Sequence, residues 1–206
     1  MILYHYWRSS CSWRVRWALN HKQLPHKLVH IDILKKEHRL PEFLKKNPSG
    51  FVPVLEWRGR FFGESQAMLE GLEEAFPHAP LLPNDTHSRM RVRQLAFGVI
   101  AGIQPLQNMS VLEKLSSNLD VRKEWASYHI RKGLRVFESQ LEQVNPGTYC
   151  MGGQPTFADL ALIPQCYNAL RYGVDLGEFP LIARIYDHCL STDACKQAAP
   201  EAHKPS

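Results

Sequence analysis

No uninterrupted apolar run in this 206-residue chain is long enough to cross a bilayer, so a membrane-embedded role finds no support. The five cysteines (Cys11, Cys150, Cys166, Cys189 and Cys195) form no C-x-x-C pair. Their odd number and wide scatter argue against both a disulfide framework and a zinc site. Reduced thiols in a cytoplasm fit them best. No cluster of His, Asp and Glu suggests any other metal, and there are no internal repeats or low-complexity tracts. The first residues, MILYHYW, lack a basic start and a long apolar stretch, so they read as a strand rather than a signal peptide. Net charge is +5, yet the Lys and Arg residues are dispersed and no nucleic-acid-reading motif is present. What remains is a solvated basic surface, or one that draws in small anionic substrates.

What is there is ordinary for a globular protein: 44% apolar and 22% charged residues. The length allows one large domain or two small ones. Up to about residue 77, strand-like runs alternate with helical ones. Residues 2–6, 27–33, 52–57 and 60–62 read as strands, the last two joined by the Arg58-Gly59 turn. Residues 12–22 are ambiguous, because Trp13, Val15 and Trp17 alternate. Ser12 as a cap and Ala18-Leu19 favour a helix. Residues 65–76 form a clearer helix with Ser65 as cap and a stripe of Met68, Leu69, Leu72, Ala75 and Phe76. The order predicts a mixed four-stranded sheet of thioredoxin type. A proline-rich linker over 80–87 follows, and everything after it reads as helix. Leu95, Val99 and Ile103 recur at four; Ile130, Leu134, Phe137, Leu141 and Val144 form a buried seam. Thr156 and Asp159 make a capping box. Phe179-Pro180 opens what reads as the last helix, and the tail from Pro200 is expected to be loose. The expected domains are 1–79, an α/β thioredoxin-like unit, and 88–206, an all-helical one.

Chemistry concentrates where a strand ends and a helix begins, at Arg8-Ser9-Ser10-Cys11-Ser12. A helix start favours an anion, and a thiolate is one. Hydroxyl donors from Ser9 and Ser10 would stabilise it, and Arg8, Arg14 and Arg16 add positive charge nearby. On its own the stretch reads better as a serine-rich turn that caps a helix than as an active site. Two features downstream shift the balance. Val52-Pro53 opens a strand and offers the Val52 backbone to an extended peptide, although a plain edge-strand proline is the alternative. Glu64-Ser65 opens a helix, where Ser65 can donate to a carboxylate and Glu64 can accept from an ammonium; simple capping is the alternative. Together they describe a cleft for a short peptide with one thiol, a free amine and carboxylates.

SSCSWRVRWAL resembles the signature of zeta-class glutathione transferases, a family that includes maleylacetoacetate isomerases. NPSGFVPVL, the Glu64-Ser65 pair, PLLP, IQPLQNMSVL, GQPTFADLALIPQCYNALRYGVDL and Ala198-Ala199-Pro200 have counterparts in the same order, over nearly the whole chain. The resemblance implies a thioredoxin-like domain, a helical domain, a homodimer in the cytoplasm, and glutathione as cofactor. It implies a cis Pro53. Carried over residue by residue, it puts Ser9, Ser10 and Cys11 at the catalytic thiol, with Arg14 beside them. Val52 makes the backbone pairing, and Glu64 and Ser65 hold the γ-glutamyl end. Gln104, Asn108, Met109 and Ser110 fall where the helical domain reaches the site. Arg171 falls where the family binds the substrate carboxylate, with Arg8 and Arg14 as further candidates.

The departures are specific. Position 64 is Glu where the class usually has Gln. The loop KKEHRLPEF is about two residues short and lacks a glutathione-contacting Gln, leaving His38 nearest. Gly71 inside a helix costs about 1 kcal/mol relative to Ala and suggests close packing. The implied reaction is glutathione-dependent isomerisation of maleylacetoacetate, a small anionic diketo acid, to fumarylacetoacetate. Maleylpyruvate isomerisation, general conjugation and dehalogenation of α-halo acids start from the same thiolate. From other classes, Cys11 could serve a thiol–disulfide oxidoreductase, or the fold could serve as a binding protein. The ten histidines include His5, His21, His26 and His30, which read as ordinary strand and surface residues.

Overall fold

Short extended runs rich in Leu, Val and aromatic residues form four strands: β1 (Ile2–His5), β2 (Lys27–His30), β3 (Val54–Trp57) and β4 (Arg60–Phe62). Their order in the computed structural model, which describes residues 1–205, is β2-β1-β3-β4. β1 runs parallel to β2 and antiparallel to β3, and β3 pairs antiparallel with β4, so the sheet is mixed as expected. The tight β3–β4 turn uses positive φ at both Arg58 (51°) and Gly59 (72°), which suits a two-residue hairpin. β3 starts two residues later than the sequence suggests, after a cis Val52-Pro53 peptide whose proline has no N–H to give a ladder.

Three helices belong to the same region: α1 (Ser10–His21), α2 (Pro41–Leu44) and α3 (Ser65–Ala75). α1 is buried on nearly all sides; Trp13, Arg14, Val15, Arg16, Trp17, Ala18 and Leu19 are all inside. A helix covered all round loses its one-sided stripe, which is why its sequence reads ambiguously. It also starts earlier than expected. Ser9 is the cap and Ser12 is already helical. Likewise Glu64, not Ser65, occupies the cap position of α3.

The second region carries α4 (Thr86–Ile100), α5 (Met109–Leu115), α6 (Leu119–Val144), α7 (Phe157–Arg171) and α8 (Pro180–Ser191). Ile130, Leu134, Phe137 and Leu141 are buried as their spacing predicts, against a core that includes Val92, Leu95, Val99 and Leu160. Val144 ends the seam half-buried. The Thr156–Asp159 capping box is formed. Ile103 lies beyond the end of α4 but stays buried, against Gly133. A Cβ at Gly133 would come within 2.3 Å of the Ile103 side chain, so only glycine allows that approach.

Two boundaries differ from expectation. α4 begins at Thr86, capped by Asp85, inside the stretch expected to be linker. The C-terminal segment is not loose. α9 (Asp193–Ala198) and a 3-10 turn at Pro200–His203 follow α8, and Pro200 is buried. The chain therefore divides into Met1–Pro80 with the segment from Thr192 on, and Leu81–Ser191. The final helix packs on α1 rather than extending the helical half. Among the described residues no single helix is long and apolar enough to cross a membrane.

Candidate functional site

The turn from β1 into α1 is held by its own backbone. Ser9 N–H donates to the Tyr6 carbonyl at 3.1 Å, and Trp13 N–H to the Ser9 carbonyl at 2.9 Å. Ser9, with φ −70° and ψ 122°, accepts the Ser12 N–H on its Oγ at 3.2 Å. Accepting that bond leaves the Ser9 hydroxyl proton to be donated outward. Ser12 is fully buried, and its Oγ accepts from the Tyr6 N–H at 3.4 Å, so it locks the strand exit rather than facing a ligand. Ser10 is buried at the first helical position, and Cys11 is half-buried beside it. The other four cysteines are buried. Burial lifts the Cys166 thiol beyond its ordinary range, and burial with Asp159 nearby lifts Cys150 too, so these are inert thiols.

Arg14 joins this turn to the start of α3. Its guanidinium, 1% exposed, donates from Nη1 to Ser65 Oγ at 3.2 Å and to Cys11 Sγ at 3.8 Å. Burial lowers the Arg14 pKa, an effect that Cys11 opposes. Ser65, accepting from Arg14, keeps its own proton to donate. Glu64 precedes it with φ 61° and is exposed. One cation thus ties two helix N-termini together, and both starts favour anions.

The two other arginines expected nearby behave differently. Arg8 lies over the Trp7 ring at 5.4 Å and is half-buried. Arg16 turns away from Cys11 altogether and points into the C-terminal segment. His5 is not an ordinary strand histidine, since it is 4% exposed beneath Arg16.

A second edge is built from the loop before β3. Val52 lies outside the ladder, and neither its N–H nor its C=O is paired among the described residues. His38 sits in a 3-10 turn, Glu37–Arg39, and its Nδ1 is buried without a hydrogen-bond partner among the described residues. Burial and then Arg39 lower the His38 pKa, so it is neutral near pH 7. Arg39 donates to the Ser49 carbonyl at 3.3 Å and lies over the Phe51 ring at 5.6 Å. A Cβ at Gly50, whose φ is 63°, would come within 2.8 Å of Arg39 Nη1. The short loop is therefore docked on the residues just ahead of Val52. Arg39 was missed by the sequence reading, because one arginine in a basic loop carries no pattern.

The remaining candidates lie in the helical region. Gln104 is half-buried in a 3-10 turn, and Asn108 stands at the cap position of α5 without a side-chain cap bond. Met109 and Ser110 are exposed. This turn is anchored by the Gln107 and Gln165 amides, which bond to each other in the interior, and by Trp125, whose Nε1 donates to the Leu106 carbonyl at 3.0 Å. Arg171 is exposed at the end of α7 and donates to Asn168 Oδ1 at 3.0 Å.

Comparison with known proteins shows the family of the chain. Residues 3–80 match the family model described as "Glutathione S-transferase, N-terminal domain". The chain is 41% identical over 208 residues to the maleylacetoacetate isomerase of Rhizobium meliloti, covering 99% of this chain and 98% of that one. It superposes with a TM-score of 0.96 and 37% identity on the holo structure of a maleylpyruvate isomerase described as a bacterial zeta-class glutathione S-transferase, each chain fully covered. A maleylacetoacetate isomerase from Anaeromyxobacter dehalogenans, with glutathione in its active site, gives a TM-score of 0.89 and 39% identity over 98% of this chain and 96% of that one.

Proposed function

This chain belongs to the zeta class of glutathione transferases, and from that premise we propose that it isomerises maleylacetoacetate to fumarylacetoacetate with glutathione as its cofactor. The observation that carries the reading is the Arg14 bridge, which links the Cys11 turn to Ser65 at 3.8 and 3.2 Å. The donor set fits a thiol tripeptide. It offers two helix starts for anions, an unpaired Val52 backbone for an extended peptide, and the unpartnered Nδ1 of His38. When bound, glutathione supplies a thiolate that adds reversibly to the conjugated cis double bond, which allows rotation before the bond is restored.

The protein's residues prepare that chemistry. Ser9 and Ser10 donate hydroxyl protons toward the sulfur, and the free N–H groups at the start of α1 hold its charge. Cys11 lines the same turn, with Arg14 reinforcing the positive potential. Val52 and Pro53 seat the peptide backbone. Ser65 donates to the γ-glutamyl carboxylate, Glu64 accepts from its amine, and His38 serves the glycine end. The family resemblance adds Gln104, Asn108, Met109 and Ser110 as candidates for contact with the cofactor. Arg171, Arg8 and Arg14 are the candidates for binding the carboxylate of the diketo acid and the negative charge that develops on it. The reading includes a cytoplasmic homodimer.

The test is turnover of maleylacetoacetate with and without glutathione, alongside calorimetry. We expect binding of glutathione at or below millimolar concentration and strict dependence of turnover on it. No binding at that concentration overturns the reading. Maleylpyruvate, named in the description of one matching structure, is measured in the same assay because the same thiolate would serve it.

A further inference from the structure

Arg16 is fully buried, only two residues from Arg14, and its hydrogen bonds go to neither Cys11 nor Ser65. Its guanidinium is surrounded by acceptors. Nη2 donates to the Trp7 carbonyl at 3.0 Å, and Nη1 to the Tyr6 carbonyl at 3.4 Å and His5 Nδ1 at 3.0 Å. Nε donates to the Ala198 carbonyl at 2.8 Å, from a residue 182 positions away and at the end of α9. Burial lowers the Arg16 pKa to about 9, which still leaves it charged at neutral pH.

The placement of these acceptors matters. Tyr6 and Trp7 are the strand exit, and the Tyr6 carbonyl also receives the Ser9 N–H. Two residues later the chain reaches the Ser9 cap. The C-terminal segment supplies the opposite wall. Ala198 is fully buried, and the His203 ring packs edge-on against His5 at 5.6 Å while its Nε2 bonds to the Gln197 carbonyl at 2.8 Å. On the other side of His5 stands His30, at 5.9 Å.

We propose that Arg16 is a positioning residue for the Ser9–Cys11 turn, with the C-terminal Ala198 carbonyl as its anchor. The Ala198 carbonyl fixes the guanidinium. The guanidinium fixes the Tyr6 and Trp7 carbonyls, and the chain passes from them directly into the thiol-binding turn. The segment from Thr192 on thus belongs to the same unit as that turn. A buried guanidinium that lost the Ala198 acceptor would carry an unmet donor, and it would move toward solvent and release the strand exit. The role assigned here rests on the reading of that turn as the glutathione thiol site.

Two full-length variants test it: Arg16→Gln, which keeps the reach but loses the charge, and Ala198→Leu, which overfills the buried end of α9. In the ligand-free chain we expect amide exchange of the Tyr6–Trp13 segment to rise tenfold or more, with β3 and β4 near wild type. In the complex we expect the bound glutathione thiol to ionise about one pH unit higher, and so about a tenfold smaller thiolate fraction below that pH. kcat should fall while KM for glutathione changes less, and Arg16→Lys should recover part of the loss. Exchange that rises evenly through the first unit, with an unmoved thiol titration, would make Arg16 a purely structural residue and overturn the proposal. If Arg16→Gln does not fold, Ala198→Leu decides by the same readings. Failure of the wild-type chain to bind glutathione overturns the proposed function instead, while the exchange pattern, read without ligand, still decides the role of Arg16.

Discussion

α1 and α3 are joined at both ends by a cation, Arg14 within α1 and Lys22 at its C-cap, and the two ends are built in opposite ways. At the C-terminal end Lys22 is fully buried and closed in. Its Nζ meets the Phe76, His78 and Ala79 carbonyls at 2.8, 3.1 and 3.2 Å and the Glu73 carboxylate at 2.8 Å. Every proton on that ammonium has an oxygen, so the end has nothing to offer a ligand. At the N-terminal end Arg14 donates to a hydroxyl and a thiol, and the hydroxyls of Ser9 and Ser65 keep protons to give. The same helix pair is thus sealed at one end and left open for chemistry at the other. The proposed thiol site sits at the end where the Ser9 and Ser65 hydroxyls keep protons to give.

The sharpest break of this contrast comes from the sealed end. Lys22→Met leaves Glu73 buried without its partner and should destabilise the chain by about 3–5 kcal/mol in denaturant unfolding. If the two ends are separate, the titration of bound glutathione in the surviving folded fraction stays at its wild-type value. A shift there would merge the two ends into one device.

The next largest effect is acid loss at the open end. Burial, followed by Arg16, His203, His30 and His26, lowers the His5 pKa from 6.5 to about 3. The unfolded chain takes up this proton below 6.5 and the folded chain does not until about 3. The contribution of His5 is therefore complete above 6.5 and declines as pH falls toward 3. His5→Asn keeps an acceptor for Arg16 without a titrating ring. It should lose about 2 kcal/mol less stability than wild type between neutral pH and about pH 5. Parallel unfolding curves at the two pH values would remove His5 from the account.

Ser9→Ala acts on the cap and the site together. It should cost about 1 kcal/mol of stability by loss of the helix cap and raise the pH at which the bound thiol ionises. Ultraviolet titration of the complex reads the second effect, and an unmoved curve would leave Ser9 a cap only. The smallest expected effect lies between the ends. A Cβ at Gly71 would meet nothing within 4 Å, so the close packing expected there does not exist. Gly71→Ala should stabilise α3 by up to about 1 kcal/mol, with glutathione affinity unchanged.

Much of the first unit was readable in the residues because alternation and turn chemistry are local. Arg60–Phe62 emerged where expected, and α3 did so with its cap one residue earlier, at Glu64. The long seam of α6 was readable because it is amphipathic over many turns. The start of α1 was harder. Ser9, Ser10 and Ser12 are all acceptable caps, and a helix buried on every side shows no stripe. Arg14 and Arg16 looked equivalent, two cations flanking one valine. Only the fold separates them, through partners 51 and 182 residues away. The C-terminal segment was misread for the same reason. Its composition is polar, and what it packs on is α1, near the other end of the chain, where Arg16 donates to the Ala198 carbonyl. Arg171 and the 104–110 turn came from family resemblance, since an exposed arginine and a short polar turn carry no signal of their own.

The most direct test of the central claim compares wild type with Cys11→Ala in maleylacetoacetate turnover, each with and without glutathione. If the reacting sulfur belongs to bound glutathione, both chains are inactive without it, and Cys11→Ala keeps substantial turnover when it is added. Turnover without glutathione, or its abolition by Cys11→Ala in a folded chain, would contradict the account and make Cys11 the nucleophile.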